Sequence, residues 1–428
     1  MLGHKCVFAS EINPVLAELY EKNFGHAPAG DIRKVALSSI PHHDILCAGF
    51  PCQPFSKAGE QKGLQCPQWG DLIDYVVAIL RYRKPEFFII ENVPNLVRHN
   101  GGETWAAIIR RLKHANYTVQ YNLLSPHVFG IPQIRERAFI VGRRGDMADF
   151  KWPKPRKTKA LSIKSILDDH PASAKKLPKH FLEYLNAWQE FIEHFPADED
   201  LPTSPIWAME FGATYPYESK TPHARKYKRL GRYRGALGKQ LKDLTPAEVK
   251  IALPQYARDK TKFFPDWKID FIRKNREFYR KHKKLIDRWL PRIQSFAPSF
   301  QKMEWNVLGG KRRIWSYVIQ FRASGIRVKR TTMAPSLIAM TTSQIPVIAW
   351  EKRYMTPREC SRLQSMGGLR YLPELKEAAF KALGNAVNVQ VVKAITKNLV
   401  LLTTPQKTSL TNLRASYVVA AKKRRINV

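Results

Sequence analysis

The apolar residues of the first 150 positions form short runs that end in turn or polar residues. The runs are CVFASE at 6–11, DILCAGF at 44–50, FFIIENV at 87–93, TVQYNLL at 118–124 and RAFIVGRR at 137–144. Each of these five segments is predicted to form a strand. With helical patterns lying between the runs, the sequence predicts an α/β fold with a largely parallel sheet.

Helix signals separate and follow these runs. Asn13 and Pro14 form an N-cap and first-turn proline pair, which predicts a helix over 14–23. A second helix is predicted over 71–83, with Pro85 ending it. Its expected buried face consists of Leu72, Val76, Ile79, Leu80 and Tyr82. Near the other end of the chain, a stripe at four-residue spacing predicts one helix over about 376–401 that packs on the sheet. The stripe consists of Val387, Val391, Ile395 and Leu399.

The charge distribution indicates a polyanionic partner. The 428 residues hold 72 Lys+Arg against 36 Asp+Glu, a formal charge of +36. Residues 151–330 alone hold 40 basic and 18 acidic side chains. Nucleic acid is the leading interpretation, with an anionic membrane surface well behind it. Within this region, 267–290 predicts a basic amphipathic helix and 313–330 predicts a hairpin turning at Ser324 and Gly325.

Other partners and compartments are disfavoured by the composition. Apolar residues make up 44% of the chain, which excludes disorder throughout. No stretch of 18 uncharged apolar residues exists and no signal peptide pattern opens the chain, so we expect no membrane partner and a cytoplasmic protein. The five cysteines fit neither a disulfide framework nor a zinc site. We expect Cys6 and Cys47, which lie inside apolar runs, to be buried.

Polar side chains with catalytic potential follow three of the predicted strands. Cys52 lies between two prolines in GFPCQPFS (49–56), a stiff loop that suits an exposed thiol better than a buried one. Glu91 closes the run FFII, where either a solvated strand end or a partly desolvated acid with a raised pKa would fit. In PQIRER (132–137), alternation puts Gln133, Arg135 and Arg137 on one face, although a solvated edge is the alternative.

These three segments, in this order, resemble the DNA cytosine-5 methyltransferases. Other segments are similar to further family blocks: FASEIN (8–13), GDI (30–32), GDL (70–72), RYMTPRECSRLQSM (353–366) and GNAV (384–387). The resemblance covers about 1–150 and 350–400 and implies a Rossmann-like S-adenosylmethionine-dependent methyltransferase sheet with a smaller mixed target-recognition domain. The expected organisation is a catalytic domain at 1–150, a basic recognition domain at 151–352, a return segment at 353–402 and a basic tail at 403–428.

The resemblance implies methylation of C5 of a cytosine within a specific duplex DNA sequence, after the base has been flipped out of the helix. By matching positions, Cys52 is the nucleophile that adds to C6 of the ring. Glu91 contacts N3 and the N4 amino group, Arg137 binds O2, and Arg135 holds the loop or the backbone. Such an enzyme is the modification partner of a restriction endonuclease, and we expect a bacterial monomer.

The resemblance also implies binding residues for DNA and for S-adenosyl-L-methionine. On the DNA side, the resemblance implies Gln53 and Ser56 at the flanking phosphate and displaced strand. Apart from the resemblance, the predicted hairpin is expected to place Arg322 and Arg327 in a groove. On the cofactor side, the residues are Glu11 at the ribose, Asp31 at the adenine amino group, Ile12, Ile32, Leu72 and Pro51 around the ring, and Asn385 and Val387 at the methionine end. Taken without the family, Asp31 reads equally well as a turn residue and Asn385 as a helix cap.

One family element has no match in this sequence. The family opens with a strand and a Phe-x-Gly-x-Gly turn, and the missing strand would lie between 6–11 and 44–50. We expect a truncated reading frame, with a second chain that supplies the strand or an inactive protein as alternatives. The alternative functions are therefore a catalytically inactive DNA-binding remnant or one part of a split methyltransferase. An RNA-directed member is disfavoured by the long middle region, and a cysteine hydrolase by the lack of any histidine signature tied to Cys52.

Overall fold

The computed structural model describes residues 2–50, 72–156, 160–337 and 344–403. A first sheet has four strands in the order β1-β2-β4-β3. They are β1 (Ile45–Ala48), β2 (Phe87–Asn92), β3 (Thr118–Leu124) and β4 (Arg137–Arg143). The helices of this half are α1 (Pro14–Phe24), α2 (Leu72–Arg83), α3 (Asn95–Arg98) and α4 (Glu103–Lys113). The α/β fold class is confirmed, and so is α1, whose predicted cap Asn13 accepts from two backbone N–H groups of the first turn.

The first sheet is largely parallel in strand direction, as predicted, but one strand is reversed. Within the described chain, β1, β2 and β3 run in the same direction, whereas β4 runs antiparallel to its neighbours β2 and β3. The reason is that the connection after β3 returns the chain directly between β3 and β2. The predicted strand at 6–11 was wrong, because among the described residues this segment makes only an isolated bridge between Ser10 and Ala29.

Helices cover both faces of the first sheet. Phe88 and Ile90 of β2 point to the face that α2 and α4 cover, whereas Phe87 and Ile89 point to the face that α11 (Val389–Val400) covers. This double burial explains the continuous apolar run of β2. Gly142 of β4 has to be a glycine, because a Cβ there would lie 2.1 Å from a ring carbon of Phe88.

The predicted C-terminal stripe lies where the pattern placed it, but on a shorter helix. The chain forms α10 (Lys376–Asn385) and then α11, and Asn388 caps α11 by accepting from the Val391 N–H. Val391, Ile395 and Leu399 are buried against the sheet, each stabilising the fold by about 1.5–3 kcal/mol. The prediction of one continuous helix over 376–401 was therefore wrong, because residues 386–388 separate two helices.

A second sheet has six strands in the order β10-β9-β7-β8-β6-β5. They are β5 (Ile206–Trp207), β6 (Lys302–Asn306), β7 (Val318–Arg322), β8 (Gly325–Lys329), β9 (Val347–Ile348) and β10 (Arg353–Tyr354). The accompanying helices are α5 (Lys179–His194), α6 (Pro246–Ala252), α7 (Asp266–Lys281), α8 (Lys283–Trp289) and α9 (Pro357–Leu363). The predicted hairpin is confirmed as β7 and β8, with Arg322 paired to Gly325. The predicted basic helix is divided into α7 and α8 at His282.

Some local burial differs from expectation. Tyr82 of α2 is 51% exposed, and the buried positions are Ile73, Val77, Ile79 and Leu80, so the predicted face was rotated by one residue. Cys6 and Cys47 are exposed rather than buried. Cys47 lies on β1, which is an edge strand of the described sheet, and Cys6 lies in the segment that forms no ladder. The boundaries of the four predicted segments stay predictions.

Candidate active site

Glu91 and Arg137 meet where β2 ends and β4 begins. Because these strands are antiparallel, the last residues of β2 lie beside the first residues of β4, with Asn92 paired to Ala138. Arg137 Nε lies 3.1 Å from Glu91 Oε1, and both side chains are largely shielded from solvent. The sheet register therefore brings together two of the residues that the sequence singled out.

Burial decides the protonation behaviour of Glu91. Desolvation raises the pKa of this carboxyl, and the nearby Arg137 and Arg135 guanidinium groups oppose that rise without cancelling it. The net direction is upward because the carboxylate loses water on most sides. Glu91 therefore keeps a proton more readily than an ordinary glutamate and suits donation to a ring nitrogen.

Asn92 ties the end of β1 to this pair. Its Nδ2 donates to the Phe50 carbonyl at 3.1 Å, and its Oδ1 accepts from the Val93 N–H at 2.9 Å. The backbone that leads toward residue 51 is thus fixed beside Glu91. No role was assigned to Asn92 from the sequence. Its position directly after Glu91, at the end of a buried strand, could have indicated that its side chain helps to build the site.

The predicted cysteine loop lies outside the described residues. Pro51, Cys52, Gln53 and Ser56 all fall in the gap at 51–71. Their roles stay predictions.

The alternation predicted for PQIRER is present. Gln133 and Arg135 are buried and Arg137 is largely covered, whereas Ile134 is 43% exposed. Both polar atoms of the Gln133 side chain, Oε1 and Nε2, are buried and have no hydrogen-bond partner in the part of the chain that the structure describes. A buried amide in that state costs free energy of about 1–3 kcal/mol, so its retention next to Arg135 indicates a use outside folding.

Arg135 connects three segments of the chain. Its guanidinium donates to the carbonyls of Leu337 at 2.8 Å, Gly384 at 2.7 Å and Ala386 at 3.1 Å. Its own backbone N–H donates to Ser125 Oγ. These bonds bring the GNAV block beside the start of β4. Asn385 is exposed there, and Val387 is half-buried against the core under α11.

The predicted adenosine-binding residues are brought together by the isolated bridge near the chain start. Glu11 donates its N–H to the Ala29 carbonyl, and Ser10 Oγ donates to the Gly30 carbonyl. Glu11 Oε1 accepts from the Asn13 N–H, and no donor to Oε2 exists among the described residues. An acceptor oxygen of this kind fits a ribose hydroxyl.

Asp31 has a structural role in the turn that follows it, and its predicted contact with an adenine amino group stays a prediction. It caps the turn at Ile32–Lys34 and forms an ion pair with Arg33 at 2.7 Å. Hydrogen bonds from the Arg33 side chain and backbone lower the pKa of Asp31. A carboxylate has about four acceptor positions, so Asp31 can still accept from an amino group.

The apolar residues predicted around the adenine differ in exposure. Ile12 is 51% exposed, Ile32 and Leu72 are half-buried, and Leu72 is the first residue of α2. An uncovered isoleucine beside an acceptor carboxylate fits the flat ring and diol of an adenosine. The described members of the set therefore fit the adenosyl half of the predicted cofactor.

The two predicted groove arginines lie on one polar face of the second sheet. Arg327 Nε lies 2.6 Å from Glu304 Oε2 on the neighbouring strand β6. Arg322 stands at the turn of the hairpin, where burial and the charge of Arg327 lower its pKa. The strand pair is central in its sheet, and the turn residues Ala323 and Ser324 are exposed. Beyond β8, residues 331–337 lead to Gln133 and Arg135.

A family profile for C-5 cytosine-specific DNA methylases matches residues 1–401. The chain belongs to the C-5 cytosine-specific DNA methylase family. It is 30% identical to the type II methyltransferase M.BanI of Aneurinibacillus aneurinilyticus over 93% of this chain and 90% of that protein. It is 29% identical to M.AluI of Cellulosimicrobium cellulans over 92% of this chain and 87% of that protein.

Other relatives of the methylase match over shorter stretches. M.MspI of a Moraxella species is 44% identical over 153 residues, which are 36% of this chain and 37% of that protein. A solved E. coli prophage chain described as a DNA modification methyltransferase shares the fold, with a TM-score of 0.50, 17% identity and 94% of each chain covered.

Two further features bear on this methylase. In the part of the chain that the structure describes, no helix has the length and apolar character needed to cross a membrane. A polar cavity of about 410 Å³ lies at the opposite end of β2, lined by residues such as His43, Glu86 and Arg144. None of the predicted site residues lines this cavity, so it is separate from the candidate active site at the other end of β2.

Proposed function

We propose that this chain transfers a methyl group from S-adenosyl-L-methionine to C5 of a cytosine within a specific duplex DNA sequence. The observation that carries the proposal is the shielded pair of Glu91 and Arg137, in which the carboxyl has a raised pKa. Membership of the family supports the reaction class. We further propose a bacterial cytoplasmic monomer that protects sites from a cognate restriction endonuclease.

The reaction begins with covalent addition. Cytosine C5 is a weak nucleophile, so direct methyl transfer to it is slow. The Cys52 thiolate adds to C6 and forms a C–S bond, while the ring electrons move toward N3. C5 would then take the methyl group from the donor sulfonium, whose bond to that methyl breaks and which would leave as a neutral thioether. A base removes the C5 proton, and the C–S bond at C6 breaks to release the Cys52 thiolate. The target base leaves the duplex for this chemistry, because both faces of its ring must be reached.

Glu91 and Arg137 act on the edge of the ring. A protonated Glu91 donates to N3 and stabilises the electron density that arrives there when Cys52 adds. Arg137 keeps its charge throughout and donates to O2, where the same electron density is shared. The 3.1 Å contact between Arg137 Nε and Glu91 Oε1 holds the two groups close together, and Asn92 holds the backbone of Phe50 beside them.

The cofactor supplies an electrophilic methyl group on a sulfonium when it is bound. Glu11 would accept from the ribose hydroxyls, Asp31 from the adenine amino group, and Ile12 would cover one face of the ring. Ile32, Leu72 and Pro51 complete the surroundings of the adenine in this proposal. Asn385 and Val387 would close the methionine end, which the bonds of Arg135 to Gly384 and Ala386 support.

DNA contacts come from two places in this proposal. Gln53 and Ser56 hold the flanking phosphate and the displaced strand. Arg322, at the projecting turn of the β7–β8 hairpin, reads bases in a groove. Arg327 is engaged by Glu304, so its contribution is to fix the orientation of the hairpin face as well as to approach the groove.

Transfer of a labelled methyl group to duplex DNA tests the proposal. We expect incorporation that maps to C5 of cytosines in one short sequence and is absent from other sites. DNA binding without any incorporation would favour the inactive remnant. Incorporation that requires a second polypeptide would favour the split enzyme.

A further inference from the structure

One segment of the recognition region carries charge of a single sign. Residues 219–242, called here the basic segment, contain nine lysines and arginines and no aspartate or glutamate. Eight of the nine are exposed: Lys220, Lys226, Lys228, Arg229, Arg232, Arg234, Lys239 and Lys242. Among the described residues, none of the nine forms an ion pair. The segment therefore presents an uncompensated positive surface.

The helices α7 and α8, which the sequence pattern singled out as basic, differ from the basic segment because most of their positive charges are paired. Seven of their nine basic side chains in 267–290 have a carboxylate partner. The pairs are Lys268–Asp259, Arg273–Glu218, Lys274–Asp270, Arg276–Glu210, Arg280–Glu277, Lys281–Glu199 and Lys283–Asp287. A lysine or arginine that faces a carboxylate must give up that partner before it binds an anion. These helices are therefore a weaker anion surface than their composition indicates.

A buried network anchors the basic segment. Glu210 is fully buried and accepts from the Tyr215 and Tyr256 hydroxyls and from Arg276 Nε. Arg276 also donates to the Tyr215 carbonyl, and its guanidinium lies 4.4 Å from the centre of the Tyr215 ring. The backbone N–H of Tyr215 in turn donates to the Arg234 carbonyl. The core is thus connected to the middle of the basic segment.

Close backbone packing fixes the same segment further along. A Cβ on Gly235 would lie 2.3 Å from the Ala252 carbonyl oxygen, and one on Gly212 would lie 3.1 Å from the Gly238 Cα. Lys226 and Leu237 have positive φ angles of 65° and 54°, which cost free energy in residues other than glycine. A segment held this firmly loses little conformational entropy on binding.

We propose that the basic segment is the surface that contacts the DNA backbone phosphates, and that it supplies affinity without sequence preference. The inference rests on the proposed function, because it takes duplex DNA as the substrate. Its chemistry is that of lysine and arginine on phosphate, which neutralises charge and releases counterions. Base reading is left to other parts of the region, such as the turn at Arg322.

Two variants of equal charge change test the assignment. One replaces Lys228, Arg229, Arg232 and Lys239 by glutamine in the basic segment. The matched control replaces Lys274, Arg280, Lys281 and Lys283, all exposed and all paired on α7 and α8. Both variants lower the net charge by four, so an effect of overall charge alone would weaken DNA binding equally in the two variants.

We expect the basic-segment variant to lose tenfold or more in affinity for cognate and random duplexes alike. The slope of log K against log salt should flatten by about 0.9 for each phosphate contact removed. The control should change affinity less than threefold. In methylation assays, the KM for DNA should rise in the first variant while kcat is kept.

The competing results are distinct. Equal losses in the two variants, or a loss confined to cognate DNA, would overturn the phosphate assignment. Wild-type binding to vesicles of anionic lipid but not to DNA would overturn the choice of partner. Failure of the inference leaves wild-type methylation intact, whereas failure of the proposed function shows as a wild-type chain that binds DNA and methylates nothing.

Discussion

Arg137 Nε lies 3.1 Å from Glu91 Oε1 across the β2–β4 ladder, and yet the Glu91 carboxyl has a raised pKa. An ion pair ordinarily lowers the pKa of its acid. Here desolvation outweighs the attraction, so the pair is not primarily a stabilising one. A second pair lies at the other end of this ladder, between Arg143 of β4 and Glu86, the residue just before β2, and its carboxylate is 38% exposed.

Glu91→Gln should therefore separate activity from stability. We expect methyl transfer to fall by about 10²–10⁴-fold, because the proton donor at N3 is lost. At neutral pH, the free energy of unfolding should stay the same or rise, because a desolvated carboxylate is replaced by a neutral amide of similar shape. Activity assays and denaturant unfolding measure the two effects, with Glu86→Gln as the control that keeps activity.

The stability difference between the wild type and Glu91→Gln should depend on pH in one direction only. The folded-state pKa of Glu91 lies above its unfolded value, so the folded state binds this proton more tightly. Its contribution to stability is complete below the unfolded pKa and is lost as pH rises through the folded pKa. The wild-type minus variant difference in unfolding free energy should decline over that interval and then level off. A difference that grows with pH would mean that the ion pair dominates.

Replacement by lysine should affect stability at Arg135 and activity at Arg137. Arg135 is 4% exposed and donates to three carbonyls from two distant segments, so Arg135→Lys should lower the unfolding free energy by about 2–4 kcal/mol. Arg137→Lys leaves those bonds intact and should abolish methyl transfer with little change in melting temperature. Thermal unfolding and activity at low temperature distinguish the two. Equal destabilisation by both would contradict the assignment of Arg137 to the ring edge.

Gln133→Leu tests the unpaired amide. Gln133→Leu removes two buried polar atoms that have no hydrogen bond among the described residues, so the free energy of unfolding should stay within about 1 kcal/mol of the wild type or rise. If the amide has a partner during catalysis, methyl transfer should nevertheless fall. The neighbouring exposed residue offers a control, Ile134→Leu, which should change neither quantity. Unchanged activity in Gln133→Leu would assign the residue no part in the reaction.

The hydrophobic pattern predicted the positions of the strands in the first sheet. β2 and β4 lie where their apolar runs are and are buried on both faces. β3 also lies where it was predicted, but it is an edge strand of the described sheet and exposes side chains such as Tyr121. Strand direction was not predictable in the same way. The return of β4 between β2 and β3 depends on pairing between residues distant in sequence, which local periodicity does not contain.

The candidate site was predictable as a set of residues but not as a set of contacts. Strand ends and alternation located Glu91 and Arg137. The carbonyls bonded by Arg135 come from positions more than 200 residues away, so no local signal gave them. Likewise, the basic residues of α7 were visible in the sequence, whereas several of their carboxylate partners, such as Glu199, Glu210 and Glu218, lie on other segments.

The central claim is covalent methyl transfer by Cys52, and trapping on 5-fluorocytosine tests it most directly. Fluorine at C5 cannot leave as a proton does, so the C–S bond should persist after methyl transfer. With S-adenosyl-L-methionine and a duplex containing 5-fluorocytosine at the target, we predict a denaturation-resistant adduct whose linked peptide contains Cys52. Cys52→Ser should bind the duplex within a few fold of the wild type and form none. An adduct formed by Cys52→Ser, or one linked through another residue, would contradict the account.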